Sequence, residues 1–332
     1  MSFAAEFRQT IEAARRILVV THVGPDGDAL GSLTAVGMAL SRLGKDVTMA
    51  CESDMPNRFN YLSFVDRVVR KTDPRGRFDA LIAVDCGDQQ RMGDIFTSLP
   101  DPKPFIINID HHITNTYFGD LNWVADCPST AEMIYSLYTD MGWEINADVA
   151  MSLLTGVVTD TLGFRTPNVT PNTLKVASVL MEAGADLPLI TMQTLNLKPL
   201  STLRLWQIGL NQMQIEDGLM WTTITNRDRE MIGYRNDSSS GLVNLLADVN
   251  RVAIGVVLME MEDGYIRVGF RSRPPYDVAQ LAQSLGGGGH PQAAGCTMEG
   301  PLAKAEAQIV EMCKQAISQQ TPASAQQNGH GL

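Results

Sequence analysis

The sequence contains no apolar run near the ~20 residues that a bilayer-spanning helix requires. Cysteine is sparse. The five present, Cys51, Cys86, Cys127, Cys296 and Cys313, are odd in number and show no CxxC spacing. This argues against a disulfide frame and a zinc ribbon, and points to reduced thiols in the cytoplasm. Positive charge is short: 26 Lys and Arg against 37 Asp and Glu leave a net charge of −11. A long nucleic-acid duplex and a membrane surface are therefore poor partners. A short nucleotide held at one local positive site stays compatible, and acids that ligate metal lower the effective charge. The N-terminus, MSFAAEFRQTIEAARR, mixes acids with arginines, so it does not read as a secretory signal. Phe3, Phe7, Ile11 and Ala14 share a helical face there.

What is present is an ordinary globular composition, 44% hydrophobic and 19% charged over 332 residues. That length suggests two domains, each able to bury a core. Apolar runs predict strands over 17–21, 46–50, 79–84 and 105–109, with helical patterns over about 30–43 and 58–64 between them. Strands alternating with helices imply a parallel sheet, and such sheets bind ligands at the carboxyl ends of their strands. Helices follow over about 129–140, 147–162 and 173–183. Ser129-Thr130-Ala131-Glu132 reads as a capping box. The second half mixes a helix over 203–213 with strands near 219–225, 253–260 and 265–270. Glu262-Asp263-Gly264 signals a hairpin between the last two. A helix over 278–285 leads into GGGGHPQAAG. The predicted organisation is a parallel-sheet α/β domain with flanking helices over 1–187, a connector over 188–202, a smaller α/β domain over 203–316 and a disordered tail over 317–332. His330 lies in that tail and receives no role.

The chain is organised around Asp110-His111-His112, where the fourth strand ends. By itself, a histidine pair at a strand end can simply hydrogen-bond its neighbours. Three of the four predicted strands, however, end in Asp or His clusters. Candidate ligands are His22, Asp26, Asp28, Asp85, Asp110, His111, His112 and Asp160. His22-x-x-x-Asp26-x-Asp28 alone is equally a turn. Asp160 sits on the apolar face of a helix, a costly place for an unpartnered acid. Four such ligands from separate segments can hold one divalent metal, and six or more suggest two. Mixed His/Asp ligation without thiolate suits Mn²⁺, Zn²⁺ or Fe²⁺. Two ions about 3.5–4 Å apart form the recurring clamp for in-line displacement at phosphorus, with hydroxide attacking. A surplus histidine can protonate the leaving oxygen.

The motifs HVGPDGD, AVDCGD, IDHH and VVTDTLG, with RSRPP and GGGGHPQAAG beyond them, resemble the DHH phosphoesterase superfamily. The last two look like its DHH-associated C-terminal domain, and the two-domain architecture is similar to the nanoRNase and 3′-phosphoadenosine 5′-phosphate (pAp) phosphatase group. The resemblance implies two Mn²⁺ ions. One would be held by His22, Asp26 and Asp85, the other by Asp28, Asp85, His111 and Asp160. It implies that His112 contacts the scissile phosphate or its leaving group and that Asp110 orients a histidine. It allows a homodimer through the first domain. In the second domain Arg271 can fork onto a phosphate, with Ser272 beside it. Gly287, Gly288 and Gly289 let backbone N–H groups approach a ligand closely, and His290 adds a donor. The glycine run alone could equally be a flexible linker.

The reading this supports is a cytoplasmic hydrolase of two- to five-residue oligonucleotides and of pAp, acting by two-metal hydroxide attack in a cleft between the domains. The alternative within the same chemistry is a cyclic di-AMP or linear pApA phosphodiesterase. A catalytically silent nucleotide sensor is the alternative outside enzymology, and the intact ligand set speaks against it. A scaffold with structural metals is disfavoured because such sites are typically closed and often thiolate-rich.

Overall fold

The computed structural model describes residues 2–73, 76–236 and 238–321. The chain divides into two compact units, Met1–Leu197 and Lys198–Leu332.

The first unit is built on five parallel strands, β1 (Arg16–Val20), β2 (Asp46–Ala50), β3 (Ala80–Val84), β4 (Phe105–Asp110) and β5 (Leu121–Val124), in the order β2-β1-β3-β4-β5. Its helices are α1 (Phe3–Ala13), α2 (Gly27–Arg42), α3 (Asp94–Thr97), α4 (Thr130–Met141), α5 (Ala147–Asp160), α6 (Pro171–Glu182) and α7 (Leu187–Thr191). Both faces of the sheet are covered, which is why its central strands read as continuous apolar runs. Ile17, Val19, Ile82, Val84, Ile107 and Ile109 face one cluster with Leu33, Val36, Leu137 and Leu154 of the larger helices. Leu18, Val20, Leu81 and Ala83 face the other, against Met92, Ile95, Phe96 and Leu99. A sheet buried between helical layers leaves the carboxyl ends of its strands as the place for a ligand.

The second unit is a six-stranded mixed sheet, ordered β10-β11-β9-β8-β7-β6. Its strands are β6 (Gln214–Glu216), β7 (Leu219–Ile224), β8 (Ile254–Glu260), β9 (Tyr265–Ser272), β10 (Gly288–His290) and β11 (Ala293–Glu299). Only β7 and β8 run parallel among these pairings. The helices are α8 (Leu200–Gln212), α9 (Asn226–Met231), α10 (Leu242–Ala247), α11 (Ala279–Ser284) and α12 (Leu302–Gln320). Val256, Leu258, Ile266 and Val268 pack with Ala305, Ile309 and Cys313 of α12 on one face. Val257 and Met259 pack with Leu205 of α8 and Val243 and Leu246 of α10 on the other.

The α/β architecture is as the sequence predicts, and the element boundaries differ in places. Residues 58–64 do not form one helix. Two short 3₁₀ turns, Asn57–Phe59 and Val65–Arg67, stand at either end of this stretch. The stretch expected as a connector carries α7 and a π-helical turn, Met192–Asn196. Helix α12 runs to Gln320, so the first residues of the expected tail are helical; residues 322–332, with His330, lie outside the described residues. The edge strand β5 and the β10–β11 hairpin have no counterpart in the sequence reading.

Candidate metal centre

Parallel pairing of β1, β3 and β4 brings His22, Asp85 and the Asp110-His111-His112 run to one edge of the sheet. The pairing continues past the strand, with Asp85 N–H donating to Ile109 O at 3.0 Å. Asp85 sits at φ 58°, a left-handed conformation that Asp tolerates better than most residues. Asp26 caps α2: its Oδ1 accepts from the N–H groups of Asp28 and Ala29, both at 3.0 Å. Asp28 and Asp160 meet because α2 and α5 approach closely. A Cβ on Gly31 would stand 2.3 Å from Ser152 O, and one on Gly156 would stand 2.6 Å from Asp28 Oδ1. Glycine is what lets the two helices come this near.

Two sets of three residues present ligand atoms within 4.8 Å of one another: His22, Asp26 and Asp85, and Asp28, His111 and Asp160. A third set, Asp85, His111 and His112, lies between them. Asp85 turns Oδ2 to His22 Nε2 at 3.5 Å and Oδ1 to His111 Nε2 at 3.6 Å. That is the disposition of a carboxylate shared between two cations. His111 Nε2 also lies 3.1 Å from Asp160 Oδ2 and 3.9 Å from Asp28 Oδ2. Each of these histidines has its other nitrogen on a backbone carbonyl: His22 Nδ1 on Val23 O at 2.9 Å, His111 Nδ1 on Cys127 O at 3.0 Å. An Nδ1–H held this way leaves Nε2 as the inward lone pair, the usual arrangement of a metal-binding imidazole.

The electrostatics agree. Burial, with the charges of Asp85 and Asp160, pushes the Asp28 carboxyl well above its usual range. Burial and Asp85 push Asp26 up as well. Burial opposes charge on Asp85 too, but the His22 hydrogen bond and the three histidines overcome it and hold its carboxyl below the usual range. Burial likewise disfavours a charged His111, yet the Asp160 hydrogen bond and the surrounding carboxylates raise its pKa to about 10. Carboxylates crowded together in a buried place, with two imidazoles among them, fit a divalent ion, whose charge would offset their mutual repulsion. The donors are hard oxygens and imidazole nitrogens, and the nearby Cys51 thiol turns to His22 O instead.

His112, whose Nδ1 is 3.7 Å from Asp85 Oδ1, has a nearer carboxylate partner. Its Nδ1 donates to Asp110 Oδ1 at 2.7 Å, while the side chain is 38% exposed. The Asp110 hydrogen bond is the main cause of its raised pKa. Asp110 is fully buried, and its Oδ2 accepts from Asn115 Nδ2 at 2.6 Å.

Several contributors escape the sequence reading. Thr130 and Ala131 donate backbone N–H groups to Asp28 at 2.6 and 2.9 Å, and Thr130 Oγ1 donates to Asp85 Oδ1 at 3.1 Å. The N-terminus of α4 thus holds two site carboxylates. Of the expected capping box, Ser129 does cap Glu132 N–H at 3.1 Å, but the Glu132 carboxylate accepts from Asn172 at 2.8 Å instead of closing the box. The Ser-Thr-Ala-Glu start of the helix is the signal that could have revealed this anchor.

In the second unit, register places His290, Ala293 and Arg271 side by side across β10, β11 and β9. Arg271 lines a cavity of about 480 Å³ together with Arg267, Ser239, Gly287 and Gly295. Burial lowers the Arg271 pKa. Ser272 Oγ donates to Tyr276 O at 2.7 Å, so its hydroxyl holds the turn after β9. Gly288 and Gly289 belong to β10 rather than to a linker. Arg273 lies 4.0 Å from Asp248 on the surface.

Comparison with known proteins fits this architecture. Residues 16–157 match the model of the DHH family, N-terminal domain, and residues 229–319 match the DHHA1 domain. The chain is 33% identical to the bifunctional oligoribonuclease and PAP phosphatase NrnA of Thermus thermophilus, over 96% of this chain and 94% of the relative. It is 30% identical to the Bacillus subtilis protein of the same name, over 88% and 92%. An exopolyphosphatase-related protein from Bacteroides fragilis superposes with a TM-score of 0.85 over 96% of both chains at 24% identity, which shows the fold. The chain belongs to the DHH family of phosphoesterases, in the two-domain form that carries a DHHA1 domain.

Proposed function

We propose that this chain is a metal-dependent phosphohydrolase that releases mononucleotides from very short oligonucleotides and removes the 3′-phosphate of pAp. The observation that carries the reading is the pair of ligand sets around Asp85. The relatives from T. thermophilus and B. subtilis, named for both activities, supply the substrate class.

In this reading His22, Asp26 and Asp85 hold one ion, and Asp28, Asp85, His111 and Asp160 hold the other. Two divalent ions held there would supply an activated water and neutralise phosphate charge. The oxygen and imidazole donors suit Mn²⁺. Asp110 holds His112 by Nδ1, so Nε2 is the group that reaches the substrate and protonates the leaving oxygen. Arg271 takes a substrate phosphate, with His290 in the same cross-strand row and the Gly287–Gly289 backbone nearby. Free cysteines and a nucleotide substrate support a cytoplasmic enzyme. Among the described residues, no helix is long and apolar enough to cross a membrane.

The test is one chromatographic assay in Mn²⁺ with a 5′-phosphorylated diribonucleotide, pAp and cyclic di-AMP in parallel. Conversion of the first two, with cyclic di-AMP intact, is expected. Opening of cyclic di-AMP at a comparable rate would make the protein a second-messenger phosphodiesterase instead. Tight nucleotide binding without turnover would make it a sensor.

A further inference from the structure

We propose that Asn115 is a positioning residue of this site, fixing Asp110 and through it His112. The inference rests on the phosphohydrolase reading above. Asp110 is a fully buried carboxylate whose two oxygens are divided between two donors: Oδ1 takes His112 Nδ1 at 2.7 Å, and Oδ2 takes Asn115 Nδ2 at 2.6 Å. A buried carboxylate needs donors on both oxygens to be satisfied and held still. Asn115 is itself buried and locked from several sides. Its Nδ2 also reaches Asn108 Oδ1 at 2.8 Å and Cys86 O at 3.1 Å. Its Oδ1 accepts the Tyr117 N–H at 2.6 Å, which settles which end of the amide faces Asp110. Its own N–H donates to His112 O at 3.1 Å.

The amide therefore ties the end of β4 to the residue after Asp85 and to the loop that follows His112. Tyr117 sits in this loop at φ 55° with a largely exposed ring. A bulky side chain in that backbone region is uncommon and persists where its surroundings impose it; here the imposing group is Asn115. An Asn–Asp–His relay of this kind fixes the tautomer and the aim of the imidazole, as a triad carboxylate does for its histidine.

The experiment compares two substrates with different leaving groups. In a 5′-phosphorylated diadenylate the ribose alkoxide must be protonated as it leaves. In the p-nitrophenyl ester of adenosine 5′-phosphate, p-nitrophenolate leaves without a proton. Asn115→Leu should lower kcat on the dinucleotide about 10- to 100-fold with KM little changed, and the ester by less than about 3-fold, within the scatter of indirect effects. Mn²⁺ binding measured by calorimetry should not change. Combined with His112→Ala, Asn115→Leu should add no further loss on the dinucleotide. Asn115→Ala removes the same donor without adding bulk, so it should show the same signature even if the leucine variant folds poorly. Equal losses on both substrates, or losses that add to those of His112→Ala, would overturn the inference. Wild-type protein inert on both substrates would instead sink the phosphohydrolase reading, and the relay with it.

Discussion

His111 Nε2 lies 3.1 Å from Asp160 Oδ2, so the end of β4 meets the end of α5. The contact exists because α5 is held against α2 by glycine, and α2 in turn carries Asp26 at its N-cap and Asp28 in its first turn. Local backbone choices thus set the distances on which the chemistry depends.

Asp26→Asn separates the two roles of this residue. Asn is as good a helix cap as Asp, and its Oδ1 can keep the bonds to Asp28 and Ala29. Removing a carboxyl that burial and Asp85 already disfavour should leave the metal-free protein as stable as wild type or slightly more so. Activity should fall by about two orders of magnitude, the scale of lost metal ligation or its support. Thermal melts with and without Mn²⁺ check both halves. Wild-type turnover in this variant would remove Asp26 from the ligand set.

The His111 pKa of about 10 lies above its ordinary 6.5. In the metal-free protein the protonated ring therefore contributes stability that is complete below pH 6.5 and is lost as pH rises towards about 10. A metal needs the neutral ring. Mn²⁺ affinity should accordingly climb with pH across this window, with protons released on binding. Calorimetry in buffers of different ionisation enthalpy measures both effects. A flat affinity would show that His111 is not a ligand.

Gly31→Ala should lower the melting temperature, because the new methyl has only 2.3 Å to Ser152 O. Overpacking of this sort costs about 1–3 kcal/mol. Metal affinity should weaken as well, since Asp28 lies one turn away on α2. A melting temperature equal to wild type would mean that the helices part without cost.

Arg271→Ala should act on binding. A charge-assisted hydrogen bond is worth about 1.5–3 kcal/mol, so KM should rise about 10-fold or more while kcat changes little. An unchanged KM for every substrate would take Arg271 out of the site.

The site was more legible in the sequence than the second unit. Runs such as Ile-Leu-Val-Val and Ala-Leu-Ile-Ala-Val announce strands buried on both faces, and the polar residues that close them follow directly. Asn115 and Thr130 were not legible, because each matters only through partners that the fold brings near. Thr130 was also hidden inside a pattern that local capping explained. The β10–β11 hairpin is rich in Gly and Ala, which carry little strand preference, and it forms by pairing β11 with β9. Helix α12 could have been read from Ala305, Ile309, Cys313 and Ala316, which repeat at helical spacing on its buried side.

The ligand sets also bear on the denatured chain. His22, Asp85, His111 and Asp160 are far apart in sequence and adjacent in space. Ions that joined them would act as reversible cross-links across most of the first unit, and each link that survived in a partly opened chain would reduce the conformations available to it. Chelation should then do more than stop turnover. It should lower the barrier to unfolding of the first unit, leaving the second, which holds neither ligand set, to melt on its own terms.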